Sequence, residues 1–131
     1  MIKVQKRNSI KACSIGSKNE ILCYNLLLKV FPTTKHHDYD IVPRLEIDIL
    51  IPDKHMCLSW DGISHRKAIY GEKTFSAVVK NDKIREDTLL EKGWRYIVVV
   101  DDGQHNPSFV EQKVNEIVEL VNKNWKGKII I

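Results

Sequence analysis

The chain has 131 residues, 43% hydrophobic and 29% charged, which suits one compact domain able to bury a core and stay soluble. A net charge of +4 and a pI near 8.9 are compatible with a polyanionic partner without requiring one. No apolar run is long enough to span a bilayer, and Met1 to Lys6 lack the continuous apolar stretch of a signal peptide, so a cytosolic protein with no membrane partner is expected. Cys13, Cys23 and Cys57 make an odd, scattered set without a C-x-x-C pair, which argues against a disulfide framework and against a structural zinc site. All three read as reduced, with Cys23 and Cys57 in the core.

A single domain is expected over 1–131, with 1–16 as a basic N-terminal arm, 17–101 as the core and 102–131 as a C-terminal helix and tail. Ser17-Lys18-Asn19-Glu20 has the S-x-x-E form of a capping box. Ile21, Leu22, Leu26, Leu27, Val30 and Phe31 follow before Pro32, which predicts a helix over about 18–31. Residues 32–43 read as a polar loop, and His36-His37-Asp38 within it as a solvated segment, because adjacent residues rarely converge on one ion. Leu45 to Ile51 alternates, with Leu45, Ile47, Ile49 and Ile51 on one face and Glu46, Asp48 and Leu50 on the other. Pro52-Asp53-Lys54 is a turn, and 55–60 a second strand forming a hairpin with the first. A glycine-containing basic loop spans 62–73 and a helix 75–92, ending at Gly93. Trp94 to Val100 is a β-branched strand. The last helix, about 108–124, carries the stripe Val110, Val114, Ile117, Val118 and Val121, and the isoleucine-rich tail is suited to an edge strand. The order α-β-β-α-β-α points to an α/β (α+β) fold with a mixed central sheet flanked by helices.

The informative residues are carboxylates where the pattern wants apolar groups. Phe75, Val78, Val79, Leu89 and Leu90 define an inward stripe, and Asp82 and Glu86 fall within it. A buried carboxylate needs a partner, hydrogen bonds or a metal. Alternatively the helix begins near Lys80 and Asp82 occupies its exposed first turn. Glu46 reads as a residue of a solvated strand face. Asp48 is less easily dismissed, since aspartate is disfavoured in strand centres and Ser59 or Asp61 would face it across the hairpin. Oxygen ligands of that kind suit Mg2+. Gly62 lets the chain turn off the strand end, leaving Asp61 and His65 on one rim, where His65 could move a proton near neutral pH.

The set Asp61-Gly62-Ile63-Ser64-His65, Asp82-Lys83-Ile84-Arg85 and Gly93-Trp94-Arg95-Tyr96-Ile97-Val98-Val99, with the Glu46–Asp53 hairpin upstream, resembles the very-short-patch-repair-like branch of the PD-(D/E)XK nuclease superfamily. The resemblance covers about 17–101; one extra residue between Trp94 and Ile97 makes its last piece a loose match. It implies a restriction-endonuclease-like core and a Mg2+-dependent endonuclease, with Mn2+ as an acceptable substitute, acting on double-stranded DNA in a bacterial cell or phage-infected host. The homing endonucleases of this branch carry an E-D-x-H-D pattern. Carried over, it makes Glu20, Asp48, His65 and Asp82 catalytic: Asp48 is the main metal ligand, His65 the general acid/base, and Asp82 orients His65 or assists the metal. Glu20 retains its competing account as the capping-box glutamate. Asp61 either joins Asp48 at the metal or only shapes the turn that presents His65. Arg66, Lys67, Lys73 and Lys80 are the expected contacts to the DNA backbone. The superfamily's usual acidic residue and lysine correspond here to Ser59 and Asp61. Either His65 replaces that lysine, with Lys80 and Lys83 as further substitutes, or the chain is a DNA-binding module without catalysis. A junction-resolvase-type nuclease and a mismatch-nicking enzyme are also open, and specificity would come from loops, the arm or a homodimer.

Overall fold

A computed structural model describes residues 15–61, 72–101 and 104–131, and the side chains of all of these except 15–17, 72–75 and 78. The elements are α1 (Ile15–Val30), β1 (Lys35–Asp38), β2 (Ile47–Ile51), β3 (Met56–Asp61), α2 (Glu72–Glu91), β4 (Arg95–Val100), α3 (Pro107–Val121) and β5 (Lys128–Ile130). The five strands form one mixed sheet in the order β1-β2-β3-β4-β5. The first two pairings are antiparallel and the last two parallel. The α+β class and the expected hairpin are present; β1 and β5 extend the expected order. The tail thus forms the edge strand its isoleucines suited. Among the described residues, no helix is long and apolar enough to cross a membrane.

Two apolar layers sandwich the sheet. On one face Cys23, Leu27 and Phe31 of α1 and Val110, Val114, Ile117 and Val121 of α3 pack on Ile49, Ile51, Met56, Leu58, Trp60, Ile97 and Val99. On the other, Leu89 of α2 packs on Leu50, Cys57 and Tyr96. The expected single solvated face of β2 is therefore corrected. Leu50, assigned to the polar face with Glu46 and Asp48, is buried beneath α2, because α2 covers that side of the sheet. Cys23 and Cys57 are free and buried, as expected. Burial pushes the Cys23 thiol up to about 12 and raises Cys57 as well, which keeps both protonated.

Three boundary differences bear on function. Helix α1 begins at Ile15, so Ser17 lies inside it and cannot be its N-cap, which removes the capping-box account of Glu20. The expected loop 32–43 contains β1, which pairs with β2 through Lys35↔Leu50, His36↔Ile49 and Asp38↔Ile47. Helix α2 begins at Glu72, well before Lys80, so Asp82 is in its interior and not in a first turn. The apolar stripe assigned to this helix also shifts. Val79 is 47% exposed while Leu89 is fully buried. Glu86 meets Lys128 of β5 at 2.7 Å and lies at the helix margin, not at the centre of a buried stripe.

Candidate functional site

The β2–β3 ladder runs from Ile51↔Met56 to Ile49↔Leu58. Beyond it, the Trp60 main-chain N–H donates to the side chain of Asp48, at 2.6 Å from Oδ2. Such a bond favours an ionised carboxylate. Burial and the negative charge of Glu20 outweigh it, with Glu46 adding to the effect, and Asp48 is held well above the ordinary carboxylate range. Asp48 and Glu46 share a side-chain hydrogen bond that raises Asp48 and lowers Glu46.

Glu46 is the opposite case. Its burial works to raise the pKa, but His37 Nδ1 at 2.7 Å and the Tyr39 hydroxyl at 2.9 Å both reach Oε2 and bring Glu46 down to about 2. The hydrogen bond to Glu46 in turn raises His37 against the effect of burial. His36 lies deeper, its ring stacked on Tyr24 at 4.8 Å and tilted against His37 at 3.7 Å. Burial, followed by repulsion from His37, lowers His36 to about 4, so it is neutral at pH 7. Its Nε2 lies 2.7 Å from Glu20 Oε2.

Consecutive residues of a strand normally project to opposite faces. His37 has φ +59°, a left-handed conformation that breaks this alternation and brings both imidazoles together. Glu46, Asp48, Glu20 and the two histidines thereby converge where β2 begins. This corrects two expectations: His36-His37 is not a solvated loop, and Glu46 is not merely a residue of a solvated face. An HH pair behind a helix was the available signal, but period-2 reasoning separates its members.

A buried polar network sets the position of this cluster. Asn19, fully buried next to Glu20, donates from Nδ2 to Asp101 Oδ2 at 3.0 Å and to the Gln104 carbonyl at 2.7 Å. Its Oδ1 receives the Asn106 N–H at 3.1 Å and lies 2.9 Å from His105 Nδ1. Asp101, also fully buried, accepts the Trp60 indole N–H at 2.7 Å. Its own N–H donates to the Asp61 carbonyl. Asn19 and Asp101 carried no signal in the sequence, since a polar residue in a helix and an aspartate after a strand are both ordinary.

On the α2 side, Arg85 Nη1 donates to Asp82 Oδ1 at 2.8 Å. Burial works against the guanidinium charge, but Asp82, Tyr96 and Asp48 offset it and raise the Arg85 pKa. Tyr96 is pushed up to about 12 by burial and shares a hydrogen bond with Ser59. Asp82 is thus present near the site with Arg85 as its partner. Asp61 ends β3, the strand next to that of Asp48, with Oδ1 enclosed by protein. Lys80 is exposed on α2. His65, Arg66 and Lys67 lie outside the described residues, as does the side chain of Lys73.

The arrangement stands at the carboxyl ends of the parallel strands β3 and β4, a place where open sheets of this kind commonly bind ligands. The charges of Glu20 and Glu46 beside the buried Asp48 give this end of the sheet a concentrated negative potential. Comparisons of the chain with protein-family models, with curated proteins and with solved structures give no match.

Proposed function

We propose that the chain is a Mg2+-dependent DNA endonuclease with a restriction-endonuclease-like core. The observation that carries the reading is Asp48, a buried carboxylate at the start of β2, held by the Trp60 N–H at 2.6 Å beside the ends of β3 and β4. Burial and the charges of Glu20 and Glu46 raise its pKa, so a cation would be favoured there. Oxygen donors from Asp48, with Asp61 at the end of the neighbouring strand as a further ligand, would suit a hard divalent cation. When bound, Mg2+ supplies polarisation of a phosphate oxygen and acidification of a water.

The chain's own residues would divide the remaining work. Asp48, fixed by the Trp60 N–H, holds the cation in register with the sheet end. Glu20, anchored through the neighbouring Asn19, sets the negative field. Asp82 and Arg85 form an ion pair from which Asp82 can orient His65, the proposed proton carrier. Lys80, with Arg66, Lys67 and Lys73, would meet the DNA backbone.

The test is cleavage of supercoiled plasmid with and without Mg2+. The expected result is Mg2+-dependent nicking or linearisation that is lost in Asp48→Ala and His65→Ala. Equal cutting by all three proteins would overturn the site assignment. One observation favours a second reading, a DNA-binding module without catalysis: Ser59 occupies the superfamily's acidic position and is engaged with Tyr96. That reading expects DNA retardation at low salt with no cleavage in any divalent metal.

A further inference from the structure

We propose that Glu20, His36 and His37 form a mononuclear site for a divalent transition-metal ion of the Zn2+ or Co2+ kind, with a remaining position open to solvent. One ligand atom from each residue lies within 4.8 Å of the others. His36 Nε2 is 2.7 Å and His37 Nε2 4.0 Å from the same oxygen, Glu20 Oε2. Metal–ligand bonds of 2.0–2.2 Å place the donors of a tetrahedral ion about 3.3 Å apart, so the observed spacings need only side-chain adjustments.

The hydrogen bonding points the same way. Metal-bound histidines characteristically donate their other ring N–H to a carboxylate, which fixes the tautomer and turns the bare nitrogen toward the ion. His37 has this arrangement already. Its Nδ1 is 2.7 Å from Glu46 Oε2, leaving Nε2 to face Glu20. The Tyr39 hydroxyl donates to the same Glu46 oxygen and steadies it. His36 is held by its stack on Tyr24. The left-handed backbone at His37 joins the two rings on one side, a strained geometry of the kind that persists where it serves a site.

Ligand chemistry selects the ion. Two imidazoles and one carboxylate favour borderline metals, whereas Mg2+ prefers oxygen alone. The side chain of His37 is 49% exposed, which gives the site a route from solvent. The inference concerns binding alone: His36 and His37 lie on β1 outside the E-D-x-H-D pattern, and only Glu20 is shared with the nuclease reading.

The experiment titrates the untagged full chain with Zn2+ by calorimetry and with Co2+ by visible absorption, in excess Mg2+. One equivalent of each ion should bind, and Co2+ should develop the intense bands of a four-coordinate centre. His36→Ala and His37→Ala should each weaken Zn2+ binding by at least about 100-fold, and Glu46→Gln by about 10- to 100-fold. His55→Gln, which removes the ring stacked on Trp94, should leave it unchanged. If His36→Ala does not fold, the more exposed His37→Ala carries the test, with circular dichroism as the check on folding. Absence of stoichiometric binding, or affinity undiminished in the folded histidine variants, would overturn the proposal. Plasmid cleavage in Mg2+ is scored separately, so either reading can fail alone.

Discussion

Trp60 is held at both of its N–H groups by aspartates from different strands or strand ends: its indole donates to Asp101 at 2.7 Å and its main chain to Asp48 at 2.6 Å. One residue, through its ring and its main chain, therefore couples the end of β4 to the carboxylate at the start of β2. The coupling extends through Asp101 to Asn19, the neighbour of Glu20.

Removal of Asp101 should be costly. Asp101→Ala leaves the indole N–H and an Asn19 amide proton without their acceptor in a buried setting. A loss of about 2–4 kcal/mol is expected from two unmet donors, measured by urea unfolding. Asp101→Asn, which keeps one acceptor oxygen, should lose less. Trp60→Phe should cost about 1–3 kcal/mol through the lost bond and the smaller ring, while retaining the main-chain donor to Asp48.

Asp48 and Glu46 should affect stability with opposite signs. The folded pKa of Asp48 is raised above its ordinary 3.8, so the folded state binds its proton more tightly than the unfolded state. Stability is therefore lost as pH rises from 3.8 through the folded value. Asp48→Asn keeps an acceptor for Trp60 and removes this penalty. It should melt at a higher temperature than the wild type at pH 8, and the gain should disappear as pH falls toward 3.8. Glu46 is lowered from 4.5 to about 2, so its contribution is complete above 4.5 and is lost as pH falls toward 2. Glu46→Gln should melt lower at pH 8, where this contribution is complete.

His36 predicts acid sensitivity in a different window. Its folded pKa, about 4, lies below the ordinary 6.5, so the unfolded chain takes up the proton first. Stability should fall as pH drops from 6.5 to 4, by roughly 3 kcal/mol in total from this residue. His37 is raised and acts in the opposite direction, gaining stability as pH falls through its folded value. Comparison of wild type with His36→Gln by denaturant unfolding at pH 7, 5.5 and 4 isolates the His36 contribution. Parallel pH profiles for the two proteins would contradict it.

Asp82 should separate stability from activity. Its bond to Arg85 is an i,i+3 pair with Asp82 36% exposed, so Asp82→Asn should cost no more than about 1 kcal/mol. Under the nuclease reading, loss of the residue that orients His65 should lower plasmid cleavage by at least about 10-fold, within the range of general acid–base effects. Cleavage unchanged in Asp82→Asn would remove Asp82 from the chemistry and leave it as the partner of Arg85.

The parts of the molecule that were legible in the sequence are those governed by local periodicity. The α3 stripe is buried at Val110, Val114, Ile117 and Val121, as its spacing requires. Its start is equally local, with Pro107 at the first turn and Asn106 accepting the Phe109 N–H. The hairpin was readable from alternation and from Pro52-Asp53-Lys54. The same alternation failed at Leu50, because a second layer of helix buries what a two-sided pattern assigns to solvent. Glu20 illustrates a different limit. Its spacing from Ser17 mimics a cap, whereas its carboxylate meets His36 on a strand. Asp48 was visible as a residue poorly suited to a strand, yet its partners come from α1, β3 and the residue preceding β2. Contacts of this range leave no periodic trace.

The Asn19–Asp101 bond closes a separation of 82 residues. The β1–β2–β3 meander is local in sequence, while β4 must pair with β3 across the whole of α2. Closing such long loops carries an entropic cost that is recovered only once the distant elements dock. The site at the start of β2 would thus be assembled late in folding: a nascent chain or a partly folded intermediate would contain the hairpin and Asp48 without the Asn19–Asp101 anchor. Maturation of the carboxylate cluster would therefore report completion of the sheet.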